Sequence, residues 1–100
     1  MARTTFTNAR LVLPDGIRPE SSLTVDNGRI CEPAPGDTVI DLGGNFLAPG
    51  FIDLHVHGGD GADFMDLTPD AFKTVCKCHA RHGTTSLTPT STVGTRDQYR

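Results

Sequence analysis

The chain has 100 residues, 36% of them hydrophobic and 21% charged, with a formal net charge of −3. That length supports one modest core, and the slightly acidic balance without a Lys/Arg run argues against a nucleic-acid partner. No apolar run approaches the roughly 18 residues needed to span a membrane, and three cysteines, an odd number, argue against a disulfide framework and for free thiols.

The opening Met1-Ala2-Arg3-Thr4-Thr5-Phe6 lacks the apolar core of a secretory signal, which makes the cytoplasm the expected compartment. From there to about residue 45 the pattern predicts short strands broken by dense turns. Thr5 to Leu13 reads as a strand closed by Pro14-Asp15-Gly16. Ser22 to Val25 is a second strand, and Asp26-Asn27-Gly28 turns it into Arg29-Ile30-Cys31. Pro33 to Asp37 is a loop, Thr38 to Leu42 a further strand, and Gly43-Gly44-Asn45 a turn into Phe46-Leu47-Ala48. This half is a small β-sandwich or sheet. Pro49-Gly50 marks a joint, so the expected domains are residues 1–48 and 49–100.

Directly after the joint, Phe51-Ile52-Asp53-Leu54-His55-Val56-His57 reads as a strand that ends at Gly58-Gly59. Alternate side chains of a strand share a face, which puts His55 and His57 side by side with Cα atoms about 6.5–7 Å apart. Two imidazoles so placed can converge on one ion, with zinc, iron, nickel and copper all suited to nitrogen ligands. Ile52, Leu54 and Val56 make the opposite face apolar, the pattern of a strand covered on both sides as in a (β/α)8 barrel, where chemistry sits at the C-terminal strand ends. A surface His-x-His on a hairpin is the plainer alternative. Asp53 falls on the histidine face but lower, and is read as structural.

Gly58-Gly59-Asp60-Gly61-Ala62-Asp63 is a polar loop that lacks the Lys-Ser/Thr of a phosphate-binding P-loop, so Asp60 and Asp63 are expected to be solvated or to orient ligands from outside. A helix follows, with Thr68 as N-cap, Pro69 at its first position, Asp70 at the positive end of the dipole, and Gly83 in the C-terminal cap region after Arg81. Phe72, Val75, Cys76 and His79 form its expected packing stripe, with Cys76 read as a small core residue facing away from Cys78. His79 and His82, on a helix outside the sheet, are expected to pack or face solvent rather than bind metal. Thr84 to Thr88 is the next strand, predicted to run parallel to the first. Thr88, Thr90 and Ser91 then stand level with the site end of the strands. The last residues, Thr95 to Arg100, resemble the first turn of another helix with Thr95 as N-cap.

Val39-Ile40-Asp41-Leu42-Gly43-Gly44, followed by Leu47-Ala48-Pro49-Gly50-Phe51-Ile52-Asp53-Leu54-His55-Val56-His57-Gly58, resembles the amidohydrolase superfamily. Gly58 to Asp66 and His82-Gly83-Thr84-Thr85-Ser86-Leu87-Thr88-Pro89-Thr90 are similar, within it, to the N-acetylglucosamine-6-phosphate deacetylases. The resemblance implies an α/β protein: a small N-terminal β-sandwich plus the first βαβ portion of a metal-dependent (β/α)8 TIM barrel, incomplete in a chain of this length because such a barrel takes about 250 residues. It implies a cytoplasmic, commonly homodimeric hydrolase of amino-sugar catabolism that uses one or two divalent ions, zinc or iron, to remove acetate from an amino-sugar phosphate substrate. His55 and His57 are the metal ligands that carry over. The remaining ligands, a glutamate and two histidines, and the acid/base aspartate are expected beyond Arg100, which leaves no catalytic residue here and a fragment expected to be inactive alone. Other amidohydrolases, of the D-aminoacylase, hydantoinase or adenine deaminase type, and a noncatalytic β-rich remnant are the alternative readings.

Overall fold

The computed structural model describes residues 3–99 and divides the chain into two units, Met1–Pro49 and Gly50–Arg100. Met1, Ala2 and Arg100, the last residue of the expected C-terminal turn, lie outside the described residues. The first unit is one mixed sheet. β1 (Thr4–Leu13) and β2 (Gly16–Asp26) are antiparallel, β3 (Arg29–Cys31) adds antiparallel to β2, and β4 (Thr38–Asp41) and β5 (Phe46–Leu47) both pair parallel with β1. The strand order is β3-β2-β1-β4, with β5 also on β1.

Local chemistry explains the turns. Asn27 and Gly28 both take positive φ, 48° and 75°, the backbone that lets a two-residue hairpin follow the strand twist. β2 starts at Gly16, earlier than the expected Ser22, because a bulge absorbs the sequence that breaks the alternation. The β1–β2 register shifts between Ala9 and Leu11 opposite Pro19 and Glu20, and Glu20 has φ 49°. At the other end of the hairpin, the buried Thr5 hydroxyl donates to Asp37 Oδ2 at 3.0 Å and so must accept from Thr24 Oγ1 at 2.8 Å. The same Asp37 oxygen accepts from Ala34 N at 2.8 Å, which ties the 33–37 loop to the sheet.

The second unit is a strand, hairpin, helix and strand. β6 (Phe51–Val56) pairs parallel with β9 (Thr84–Pro89), and between them come the short hairpin β7 (Gly58–Gly59) and β8 (Ala62–Asp63), a 3₁₀ turn (Phe64–Asp66) and the helix α1 (Pro69–Arg81). The helix has the bounds its sequence predicts. Thr68 Oγ1 accepts from Ala71 N at 3.1 Å, Pro69 fills the first turn, and Gly83 leaves the helix at φ 93° after the cap residue His82. A second 3₁₀ turn, Arg96–Tyr99, stands where a helix start is expected; Gln98 Oε1 reaches back to accept from Thr95 N at 2.7 Å.

The core of this unit is Val56, Phe64 and Val75, flanked by Ala62 and Leu87. One expectation, the packing stripe of α1, is corrected by the structure. The buried stripe of α1 is Ala71 and Val75, with Cys78 and His79 partly covered, whereas Cys76 is exposed and Phe72 lies at the margin, its ring 4.8 Å from that of Phe64. The helix is turned so that Ala71, too small to register as hydrophobic signal, faces inward. Coverage of β6 on both faces is met only at Val56, while Ile52 and Leu54 are 71% and 75% exposed. Among the described residues β6 has one strand neighbour, β9, and α1 meets it at Val56 while packing mainly on β7, β8 and β9.

Candidate metal centre

The site is built at the end of β6. The β6–β9 register shifts between Asp53 and Val56, where β6 carries one residue more than β9, so the strand bulges at Leu54-His55. The Asp53 carboxylate accepts from His55 N at 3.1 Å, capping an amide that the bulge takes out of the ladder. Asp53 is thus structural, as its depth on the strand predicts. His55 and His57 share a face, as strand alternation predicts, and their rings meet: His55 Nε2 and His57 Nε2 are 3.0 Å apart, with ring centroids at 4.9 Å and planes at 69°. His57 lies one residue past the end of β6. Both histidines are exposed.

The other nitrogen of His57 is held. His57 Nδ1 lies 3.0 Å from the Thr90 carbonyl oxygen, which can only accept, so the ring carries its hydrogen on Nδ1 and presents an electron pair at Nε2. Two imidazole nitrogens sharing one zinc ion at tetrahedral angles, each about 2.0–2.1 Å from it, stand about 3.3 Å apart. The observed separation of 3.0 Å is near that value, and the tautomer of His57 is the one a ligand needs. Among the described residues no group of three or more His, Cys, Asp or Glu side chains comes together to hold an ion. His55 and His57 are therefore a pair of donors, not a complete site.

The neighbouring residues take structural parts. Gly58-Gly59-Asp60-Gly61-Ala62-Asp63, expected as a loop, is a hairpin whose turn residues Asp60 and Gly61 have φ 51° and 78°; the Asp-Gly pair was the signal for it. Asp63 caps the 3₁₀ turn, accepting from Met65 N at 2.7 Å, while Asp66 Oδ2 accepts from Asp63 N at 2.9 Å. Asp60 pairs with Arg81 of α1, and the hydrogen bond from that guanidinium, helped by one from Cys78, holds its carboxyl below the usual range. His79 Nε2 donates to the Gly58 carbonyl at 3.1 Å, and His82 Nδ1 to the Cys78 carbonyl at 2.8 Å, so both are engaged with backbone, as a packing role predicts. Thr90 is the one of the three strand-end hydroxyl residues that engages the histidine strand; Thr88 and Ser91 are exposed. Its contact with His57 was not legible in the sequence, because it depends on the register of β6 against β9.

No protein-family model matches the chain. Individual proteins do. It is 40% identical over 96 residues to an N-acetylglucosamine-6-phosphate deacetylase of Mus musculus, a match covering 85% of this chain and 23% of that protein. It is 37% identical over 84 residues to an N-acetylgalactosamine-6-phosphate deacetylase of Escherichia coli O157:H7, covering 82% of this chain and 22% of that one. The solved structure of an N-acetylglucosamine-6-phosphate deacetylase from Pasteurella multocida superposes with a TM-score of 0.86 at 27% identity over 97% of this chain and 27% of its own. The chain spans about a quarter of the length of the curated relatives it matches. Over that portion, its sequence and its backbone match members of the N-acetylglucosamine-6-phosphate deacetylase family, of the amidohydrolase superfamily.

Proposed function

We propose that this chain is the N-terminal portion of a metal-dependent amide hydrolase that releases acetate from N-acetylglucosamine 6-phosphate, with His55 and His57 as two of its metal ligands. The observation that carries the reading is the approach of the two Nε2 atoms to 3.0 Å at the end of a parallel strand, in a chain 40% identical to a deacetylase. When bound, a divalent ion, zinc or iron, supplies the Lewis acidity that amide hydrolysis needs. The residues present hold and orient: His55 and His57 offer nitrogen, Thr90 fixes the ring of His57, and Asp53 stabilises the bulge that aims His55. Two ligands are fewer than the three protein ligands usual for catalytic zinc, so the rest of the centre and the acid/base group belong to sequence beyond Arg100.

In this reading residues 1–48 are part of a β-sandwich and residues 49–100 begin a (β/α)8 barrel, whose later strands and helices would cover Ile52 and Leu54. The protein is cytoplasmic and homodimeric. Among the described residues no helix is long and apolar enough to cross a membrane, which is compatible with that placement. The galactosamine relative makes the epimeric sugar phosphate a second reading of the substrate. The test is acetate release by the full polypeptide that carries this sequence, loaded with zinc, from N-acetylglucosamine 6-phosphate and N-acetylgalactosamine 6-phosphate in parallel. Preferential turnover of the first supports the proposal. Turnover of a cyclic amide with no acetate from either sugar would replace it with a hydantoinase-type assignment.

A further inference from the structure

The end of β6 is closed by a single residue, Thr90, one position past the end of β9. Thr90 Oγ1 accepts from Val56 N at 3.1 Å, Thr90 N donates to the Val56 carbonyl at 2.8 Å, and the Thr90 carbonyl takes the Nδ1 hydrogen of His57 at 3.0 Å. Thr90 Oγ1 also donates to the Thr88 carbonyl at 3.1 Å, which uses its one hydrogen and leaves its lone pairs to the Val56 amide. The side chain thus replaces a rung of the ladder just where the parallel pairing ends at Val56–Pro89. Without it, the amide of Val56, a residue only 4% exposed, loses its partner, and Val56 is held to Thr90 by one hydrogen bond instead of two, while the His57 carbonyl keeps its bond from Phe64 N at 2.9 Å.

We propose that Thr90 is a positioning residue for the metal centre: its hydroxyl pins Val56, and that pinning sets its own carbonyl to fix His57 as the Nδ1–H tautomer, with Nε2 free to bind. The inference deepens the proposed function and rests on it for the role of the metal, but the tautomer of His57 is observable with no metal present. The hydroxyl is required, not the shape of the side chain. Valine matches threonine in size and keeps the bonds that the residue-90 backbone makes to Val56 and His57, so what is removed is the hydroxyl's bond from Val56 N and its own donation to the Thr88 carbonyl.

The experiment compares the wild-type chain with Thr90→Val and Thr90→Ser by ¹⁵N resonances of the histidine rings, amide hydrogen exchange at Val56, and zinc titration. Wild type should show His57 as Nδ1–H. In T90V, exchange at Val56 should quicken about tenfold, His57 should show a mixture of tautomers, and zinc affinity should fall by about tenfold, at the low end for a group that orients a metal ligand. T90S should restore all three. A T90V chain with wild-type ring resonances and affinity would overturn the proposal, as would failure of serine to restore them. Should T90V not fold, the wild-type spectrum decides alone: His57 carrying its hydrogen on Nε2 overturns the assignment, and Nδ1–H with a protected Val56 amide supports it. The double variant H55A/H57A separates the two ideas, because zinc binding equal to wild type in that variant defeats the metal reading while leaving the tautomer result standing.

Discussion

His55 Nε2 and His57 Nε2 lie within one hydrogen bond of each other, at 3.0 Å. Because His57 gives its only ring hydrogen to the Thr90 carbonyl, His57 must be the acceptor of that bond and His55 the donor. A cation held between the rings takes the place of that hydrogen, so His55 has to carry its own on Nδ1 instead. The expected result on adding zinc is a shift of the ¹⁵N ring resonances of both histidines, with His55 alone changing tautomer, from Nε2–H to Nδ1–H, and both effects reversed by a chelator. H55A or H57A should each abolish the response. An unchanged His55 in the presence of zinc at millimolar concentration would show that the pair does not chelate.

The strand end tolerates no side chain at Gly58. A Cβ there would run into the Ala62 carbonyl oxygen across the β7–β8 hairpin, and backbone cannot swing aside as a side chain can. At Gly59 the nearest atoms are side-chain atoms of α1, the Cys78 sulfur at 3.0 Å, its Cβ at 3.2 Å and His79 Nε2 at 3.3 Å, which have to give by only a few tenths of an ångström. G58A should therefore destabilise the chain by about 1–3 kcal/mol, the range for overpacking, and G59A by clearly less. Chemical denaturation of the two variants side by side checks the order, and G58A should also weaken zinc binding because it displaces the residue after His57.

Much of this arrangement could be read from residue order, and the remainder fails for identifiable reasons. Thr68, Pro69, Asp70 and Gly83 mark the ends of α1 through chemistry confined to a few neighbours, so the helix bounds are legible. The His55–His57 pair is legible too, because strand alternation places both on one face. Their separation is not, since the bulge at Leu54-His55 arises from how β6 meets β9. The same holds for Thr90, whose partners Val56 and His57 are more than 30 residues away in sequence. Parallel pairing of β4 and β5 with β1 leaves no local signature either. Asp60-Gly61, in contrast, carried the hairpin signal in plain sight, masked by the surrounding glycines.

Asp60 and Arg81 join the β7–β8 turn to the end of α1. The guanidinium lowers the carboxyl pKa in the folded chain relative to the unfolded one, so the pair contributes stability above the unfolded carboxylate value, about 3.9, and that contribution is lost as pH falls through the lower, folded value. D60N should accordingly lower the thermal midpoint at pH 7 and have progressively less effect below pH 4. Both partners are well exposed, so the difference should also shrink in 1 M salt, where the Debye length is about 3 Å. A D60N effect that is independent of both pH and salt would locate its origin in the turn geometry rather than in the ion pair.

Val75 is the sole large side chain among the described residues that is fully buried, and it joins α1 to Val56 and Phe64. Val56 is next to both histidines in sequence, so the position of the histidine pair is tied to the packing of this small core. Truncation at Val75 removes apolar surface at about 25 cal/mol per Å² and leaves a cavity, together about 2–3 kcal/mol for V75A. The loss is large against the modest stability of a core this small. V75A should lower the denaturation midpoint, speed amide exchange along α1 and at Val56, and weaken zinc binding through the loosened strand end. V75I, which adds a methylene to a full site, should also destabilise but keep the helix ordered. Cys76→Ser, on the exposed face of the same helix one residue further on, should leave stability within about 0.5 kcal/mol of wild type. An equal loss from C76S and V75A would mean that α1 buries both residues, as the stripe Phe72, Val75, Cys76 and His79 implies, rather than Ala71 and Val75 with Cys76 outside.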